Sequence, residues 1–284
     1  MKQKFKVDFE FLFINDGSAD NSLKIMRDLA KKDERVRYVS FSRNFGKEAG
    51  IYAGLKHSRG DYAVIMDADL QDPPQLLEDM YRGITEEGYD CVAARRVSRK
   101  GEPPVRSLFA RLFYYLMRKV SKLEIMDGAR DYRLMSRKMV DAVLSISENN
   151  RFSKGIFGWV GFDTKWLEYE NVERAAGETK WSFFQLVSYS LDGILSFSTF
   201  LLSFSTWVGM FFCLVAFLFI AFILIRSLFW QDPVSGWSST MCVILMLGGL
   251  QLFCVGVLGK YLSKTYIETK RRPLYIVKET EEDI

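Results

Sequence analysis

Apolar and polar positions divide the chain into a long stretch of short, interrupted runs and a shorter stretch of long, unbroken ones. Val7 to Ile14 (VDFEFLFI) reads as a strand that ends on the polar turn Asn15-Asp16-Gly17-Ser18. Ser22–Lys32 reads as a helix, Val36–Phe41 as a strand and Lys47–His57 as a helix. Tyr62–Met66 follows as a strand, Pro74–Glu86 as a helix and Cys91–Ala94 as a short strand. Pro104–Ser121 has the pattern of an amphipathic helix rich in Phe, Tyr and Arg. Such alternation over residues 1–180 predicts an α/β domain with a mainly parallel sheet. In open sheets of that kind the ligand crevice lies beyond the carboxyl ends of the strands. Asp16 and the triplet Asp67-Ala68-Asp69 both fall at such ends.

After residue 205 the pattern changes. Trp207–Ile225 (WVGMFFCLVAFLFIAFILI) runs for nineteen residues without a charge, about 28 Å as a helix, against a bilayer core of ~30 Å. Met241–Leu258 (MCVILMLGGLQLFCVGVL) is a second such run, with Gln251 as its polar residue. Trp230, Pro233, Gly236 and Trp237 lie between the two and mark a turn flanked by interfacial aromatics. A transmembrane hairpin over residues 206–262 is therefore expected. Gly248, Gly249 and Gly256 in its second arm allow close helix contact and a homo-oligomer. Tyr189–Ser205 is apolar but studded with serines, so residues 181–205 are expected as helices lying at the membrane interface. Lys260, Lys264, Lys270, Arg271 and Arg272 follow the second run, which places the 263–284 tail in the cytosol by the positive-inside rule. A hairpin then keeps residues 1–180 on that same side.

Composition sharpens this division and removes several chemistries. The chain has 284 residues, enough for a sizeable core. Its 49% hydrophobic share averages an ordinary first part with an almost wholly apolar second one. A net charge of +4 is too small for a nucleic-acid partner. With one histidine, His57, triads and multi-histidine metal sites are excluded, and His57 reads as a polar residue at a helix end. Cys91, Cys213, Cys242 and Cys254 show no paired spacing and imply neither zinc nor a disulfide framework. Any metal must be held by oxygen ligands.

Carboxylates placed two residues apart after a buried strand project to one side of the sheet edge. Without histidine or thiolate neighbours they suit Mg²⁺ or Mn²⁺, hard cations usually shared with substrate phosphates. The alternative makes these groups solvated loop carboxylates, with Asp72 capping the next helix. The preceding strand, the Pro73-Pro74 helix start and the second acidic loop at Asp16 favour the metal-binding reading.

NDGSADNS (15–22), SRNFGKEAG (42–50) and DADLQDPP (67–74) resemble the family-2 glycosyltransferases, which have the GT-A, Rossmann-like fold. DGARDYRLM (127–135), RFSKGIFGWVGF (151–162) and RAAGETKWSF (174–183), with the C-terminal hairpin, are similar to the polyprenyl-phosphate glycosyltransferases of that family. These include the bactoprenol glucosyltransferases and are related to dolichol-phosphate mannose synthase. The resemblance implies inverting transfer of a sugar, glucose by default, from a UDP-sugar to polyprenyl (undecaprenyl) phosphate. It implies a multi-pass protein of the bacterial cell membrane whose catalytic domain faces the cytosol, working on lipid-linked sugars for cell-surface glycans. Asp16, with Arg43 and Asn44, would contact the nucleoside; Asp67 would face the nucleoside side; Asp69 and Gln71, with Asp67, would hold the divalent ion. Asp131 matches the family's candidate base, and Arg95, Arg133, Arg174 and Lys180 are candidates for gripping phosphates, each of which could alternatively be a solvated surface cation. The family pattern opens with a strand and a helix that precede Phe5 here, so a central strand of the sheet is expected to be missing, through either an internal Met1 or a truncated product. A polysaccharide synthase of the same superfamily and an inactive membrane scaffold are the competing readings; the chain lacks the Q-x-x-R-W motif of the former.

Overall fold

A computed structural model of the chain describes residues 5–69, 71–96, 126, 128–169, 198–229 and 236–283. These belong to two units, one joining residues 1–196 to residues 271–284 and the other spanning residues 197–270. The expected Pro104–Ser121 helix, Arg174 and Lys180 lie outside the described residues.

In the first unit, β1 (Phe11–Asn15) and β2 (Val36–Phe41) pair in parallel, with Phe11 opposite Val36 and Asn15 opposite Ser40. The crossover between them carries α1 (Ser22–Lys32), as a parallel pair requires. α2 (Lys47–His57) then leads to β3 (Tyr62–Ile65). Ala49, Ile51, Ala53 and Leu55 of α2 are all buried, a spacing that covers more than one helix face, and this helix packs on both β1 and β3. α3 (Leu76–Thr85) covers β4 (Cys91–Arg96) and β5 (Ala129–Ser136) through Met80, Ile84, Val92, Tyr132 and Leu134. α4 (Arg137–Ser145), α5 (Ser153–Trp159) and β6 (Thr164–Tyr169) follow.

The α/β class holds, but the sheets are mixed instead of mainly parallel. With β7 (Val277–Thr280) as the last strand, the order is β1-β2-β7 in one sheet and β3-β5-β4-β6 in the other. β5 enters antiparallel between β3 and β4, with Ile65 and Ala93 both opposite Arg133. β7 pairs antiparallel with the outer edge of β2. The 263–284 tail is thus no free appendage, because its last part is a strand of the first unit. Glu279 accepts Arg27 Nε at 2.7 Å and Tyr38 Oη at 3.0 Å, and Glu281 accepts Arg37 Nε at 2.6 Å. Tyr275 stacks on Phe41 at 4.8 Å between centroids and joins the core of Val39, Phe41, Ala49 and Ala53. His57 ends α2, and its Nε2 lies 3.0 Å from Tyr275 Oη, so its place is structural.

The second unit holds α6 (Phe200–Phe229) and α7 (Trp237–Thr269). Tyr261 Oη donates to Ser198 O at 2.7 Å, and Cys254 Sγ lies 3.9 Å from Ser205 O. Seven positions forward on one side match seven backward on the other, the signature of an antiparallel hairpin. Stretches Phe200–Phe219 and Met246–Thr269 are long and apolar enough to cross a membrane. Phe217 and Leu252 are 69% and 74% exposed, surface that water would leave unburied and acyl chains would cover. Of the 181–205 segment expected at the interface, residues 181–197 lie outside the described residues and Phe200 onward belongs to α6. No helix breaker intervenes, and polar groups there bond within the helix, as Thr206 Oγ1 does to Leu202 O at 3.0 Å.

Candidate active site

β1 ends on Asn15, which is buried and donates from Nδ2 to Ser40 Oγ at 2.9 Å. Its Oδ1 accepts the Ser18 N–H at 3.1 Å, which closes the acidic turn. Gly17 sits at φ 64° with its missing side chain aimed at the next loop; a Cβ there would lie 2.5 Å from Arg43 C and 2.6 Å from Asn44 N. The contact brings Asp16 to the 43–46 loop. Asp16 Oδ1 accepts the Phe45 N–H at 2.6 Å and Oδ2 the Gly46 N–H at 2.9 Å. Arg43 lies over the Phe45 ring at 4.0 Å and bonds Asn44 O at 2.9 Å. Asp16, Arg43 and Asn44 therefore form one corner. Both Asp16 oxygens are engaged by backbone, so this carboxylate shapes the loop that would meet a nucleoside.

β3 delivers the second corner. The Asp67 N–H donates to Asp72 Oδ2 at 3.0 Å, and the Gln71 N–H to Asp69 Oδ1 at 3.1 Å. Asp72 therefore folds back onto the acidic loop instead of capping α3. It is 1% exposed, and that burial raises its pKa against the lowering pull of the Asp67 N–H and Arg130. β5 braces this loop from one face. Arg130 Nη2 donates to Gln71 Oε1 at 3.4 Å, and Tyr132 Oη to Pro73 O at 2.9 Å.

The other face of β5 carries Asp131 and Arg133, as strand alternation demands. Extending the β3–β5 register two residues past Ile65–Arg133 sets Asp67 opposite Asp131. Lys47 closes the pair. Its Nζ lies 2.9 Å from the Asp67 carboxylate and 2.7 Å from that of Asp131. Burial alone would raise the Asp131 pKa, but Lys154, Lys47 and Arg133 overcome it and hold the group down at about 2. Burial likewise opposes the charged form of Lys47, and Asp131 and Asp67 outweigh it, so the Lys47 pKa is raised.

Two phosphate candidates stand elsewhere. Arg133 is 3% exposed, with its guanidinium 3.8 Å over Phe157 and Nη2 bonded to Arg130 O at 3.0 Å. So enclosed, it is no solvated surface cation, and its charge joins Lys154 and Lys47 in lowering the Asp131 pKa. Arg95 lies on β4, separated from β3 by β5, and is engaged by Glu168 of β6.

Sequence reading passed over Lys47, Glu48, Arg130 and Lys154. One local signal for Lys47 exists: a lysine opening a helix opposes the macrodipole and so calls for nearby carboxylates. Among the described residues no three Asp, Glu, His or Cys side chains converge to hold a metal unaided. A donor set of Asp67, Asp69 and Gln71 oxygens fits a hard divalent ion that takes its remaining ligands from water and substrate phosphate.

Residues 1–144 match the family model described as glycosyl transferase family 2. A Bacillus subtilis (strain 168) protein named as a glycosyltransferase, CsbB, is 45% identical over 282 residues, covering 98% of this chain and 85% of that one. The bactoprenol glucosyl transferase of Shigella phage SfV is 42% identical over 275 residues, covering 95% and 88%. Among solved structures, a complex of glucosyl-3-phosphoglycerate synthase from Mycobacterium tuberculosis with Mn²⁺, UDP-glucose and phosphoglyceric acid is 21% identical, with a TM-score of 0.41 and coverage of 65% and 66%.

Proposed function

The chain belongs to glycosyl transferase family 2, and we propose that it moves glucose from UDP-glucose onto a polyprenyl phosphate held in a bacterial membrane. The observation that carries this reading is the 42% identity to bactoprenol glucosyl transferase over 95% of the chain. Two apolar helices and a carboxylate-rich site in one chain agree with a water-soluble donor and a membrane-bound acceptor. The catalytic unit includes residues from before and after those helices, which fits an even number of crossings. Lys260, Lys264, Lys270, Arg271 and Arg272 favour the cytosolic side, where UDP-sugars are found.

Asp16 shapes the loop of Arg43 and Asn44 that receives the nucleoside. Asp67, Asp69 and Gln71 would hold Mg²⁺ or Mn²⁺, which when bound neutralises charge on the pyrophosphate. The acceptor phosphate has a second pKa near ~6 and is mostly dianionic at neutral pH. Its oxygen attacks the anomeric carbon as the C–O bond to UDP breaks, and UDP leaves with the electron pair. Configuration inverts, and no proton has to move. Asp131, with its pKa near 2, is a poor proton acceptor. Its part is to orient Lys47 and Lys154 towards the phosphates. Arg174 and Lys180 supply further phosphate contacts.

Purified enzyme, radiolabelled UDP-glucose, undecaprenyl phosphate and Mg²⁺ test this directly. A single glucose in the lipid extract is expected. A polymer would point to the synthase reading, and no transfer would defeat both.

A further inference from the structure

Three consecutive residues at the start of α2 each hold a different part of the site. The Gly46 N–H is bound by Asp16 at 2.9 Å, on the nucleoside corner. Glu48 Oε2 accepts the Ser153 N–H at 2.9 Å, which fixes the first turn of α5 and with it Lys154. Between them, Lys47 Nζ spans Asp67 at 2.9 Å and Asp131 at 2.7 Å. These contacts hold the start of α2 on both sides of Lys47, whose long side chain remains 48% exposed.

Two carboxylates facing each other across a strand pair repel, and the ammonium group between them relieves this. A divalent ion arriving at Asp67 would supply the same relief with twice the charge, and it would repel Lys47. Lysine carries three donors on a flexible stem. It can release Asp67, keep Asp131 and turn the freed donors to phosphate oxygen. We propose that Lys47 is a positioning residue that couples donor loading to the acceptor side: it bridges Asp67 and Asp131 in the empty site and yields Asp67 to the metal–nucleotide. This rests on the reading of Asp67 and Asp69 as metal-bearing carboxylates.

The proposal makes two effects of one mutation run in opposite directions. In full-length enzyme in detergent, Mn²⁺ binding without nucleotide is measured by the paramagnetic resonance signal of the free ion. Lys47→Met should bind Mn²⁺ about tenfold more tightly, because the competing cation is gone. Its kcat should nevertheless fall about tenfold, with a smaller change in the KM for UDP-glucose. Lys47→Arg keeps the charge, so Mn²⁺ affinity near wild type and an intermediate kcat are expected. A Lys47→Met protein with unchanged or weaker Mn²⁺ binding and a wild-type melting temperature would overturn the coupling. So would a kcat within twofold of wild type. If wild-type enzyme transfers glucose but binds no Mn²⁺, the metal reading of Asp67 and Asp69 fails, and the role of Lys47 falls with it.

Discussion

Asp72 holds Asp67 by its backbone: the Asp67 N–H donates to Asp72 Oδ2 at 3.0 Å, from a side chain that is almost wholly buried. The bond closes the acidic loop on itself, so the two carboxylates proposed to hold the metal sit in a loop braced by a residue outside that proposed set. Asp72→Ala leaves that N–H without its partner, a cost of about 1–3 kcal/mol. Spent on loop geometry, it should lower kcat/KM about ten- to a hundredfold in steady-state assays. Asp72→Asn retains an accepting oxygen and removes a charge that burial disfavours, and it should stay within about threefold of wild type.

Gly17 presents the second test. With φ at 64° and a Cβ position 2.5 Å from Arg43 C, an alanine there must push the 43–46 loop away from Asp16. Backbone strain of that kind costs about 1–3 kcal/mol. Gly17→Ala should weaken UDP binding, measured by calorimetry, by about tenfold or more, with little change in turnover at saturating donor.

Asp131 separates orientation from base catalysis. With its pKa held down to about 2, it stays ionised through the whole working range. The sign follows: a depressed carboxyl supports the fold above its usual value near 3.8 and loses that support as pH falls towards 2. An acid limb in the rate profile near pH ~6 should therefore come from the acceptor phosphate. It should persist in Asp131→Asn, with kcat down about tenfold. Loss of the limb, or a drop of roughly a thousandfold, would restore Asp131 as a base. Asp69→Asn should abolish transfer.

Tyr275 links the tail to the donor side. It stacks on Phe41, one residue before the 42–46 loop, and contacts His57. Tyr275→Ala removes a ring pair and part of a shared core, a loss of about 1–3 kcal/mol. Thermal melts in detergent should show a melting temperature several degrees lower, alongside a raised KM for UDP-glucose.

Residues whose structure is decided locally were legible. Ser22–Lys32, Val36–Phe41 and Lys47–His57 have the observed bounds, because the amphipathic spacing of the first, the β-rich run of the second and the flanking Gly46 and Ser58 of the third need no distant partner to be recognised. β5 was not read as a strand. ARDYRLMS alternates poorly, and its charged members are accommodated by groups far along the chain: Arg130 by Gln71, Asp131 by Lys47, Arg133 by the Phe157 ring. β7 is equally silent in VKET, since its pairing is with a strand near the other end of the sequence. The same distinction divides the site. Asp16, Asp67, Asp69 and Asp131 stand in motifs, but that Lys47 joins two of them depends on how β3 registers against β5. Spacing along the chain does not carry that information.

The pairing of β7 with β2 also fixes an order of events in the birth of the protein. β2 is made early, yet its outer edge is covered by residues translated after both apolar helices. Until the residues after the second unit are synthesised, that edge offers unpaired N–H and C=O groups to any passing strand. The sheet is finished only by residues translated after both apolar helices, so a chain cut short within them also lacks a completed edge.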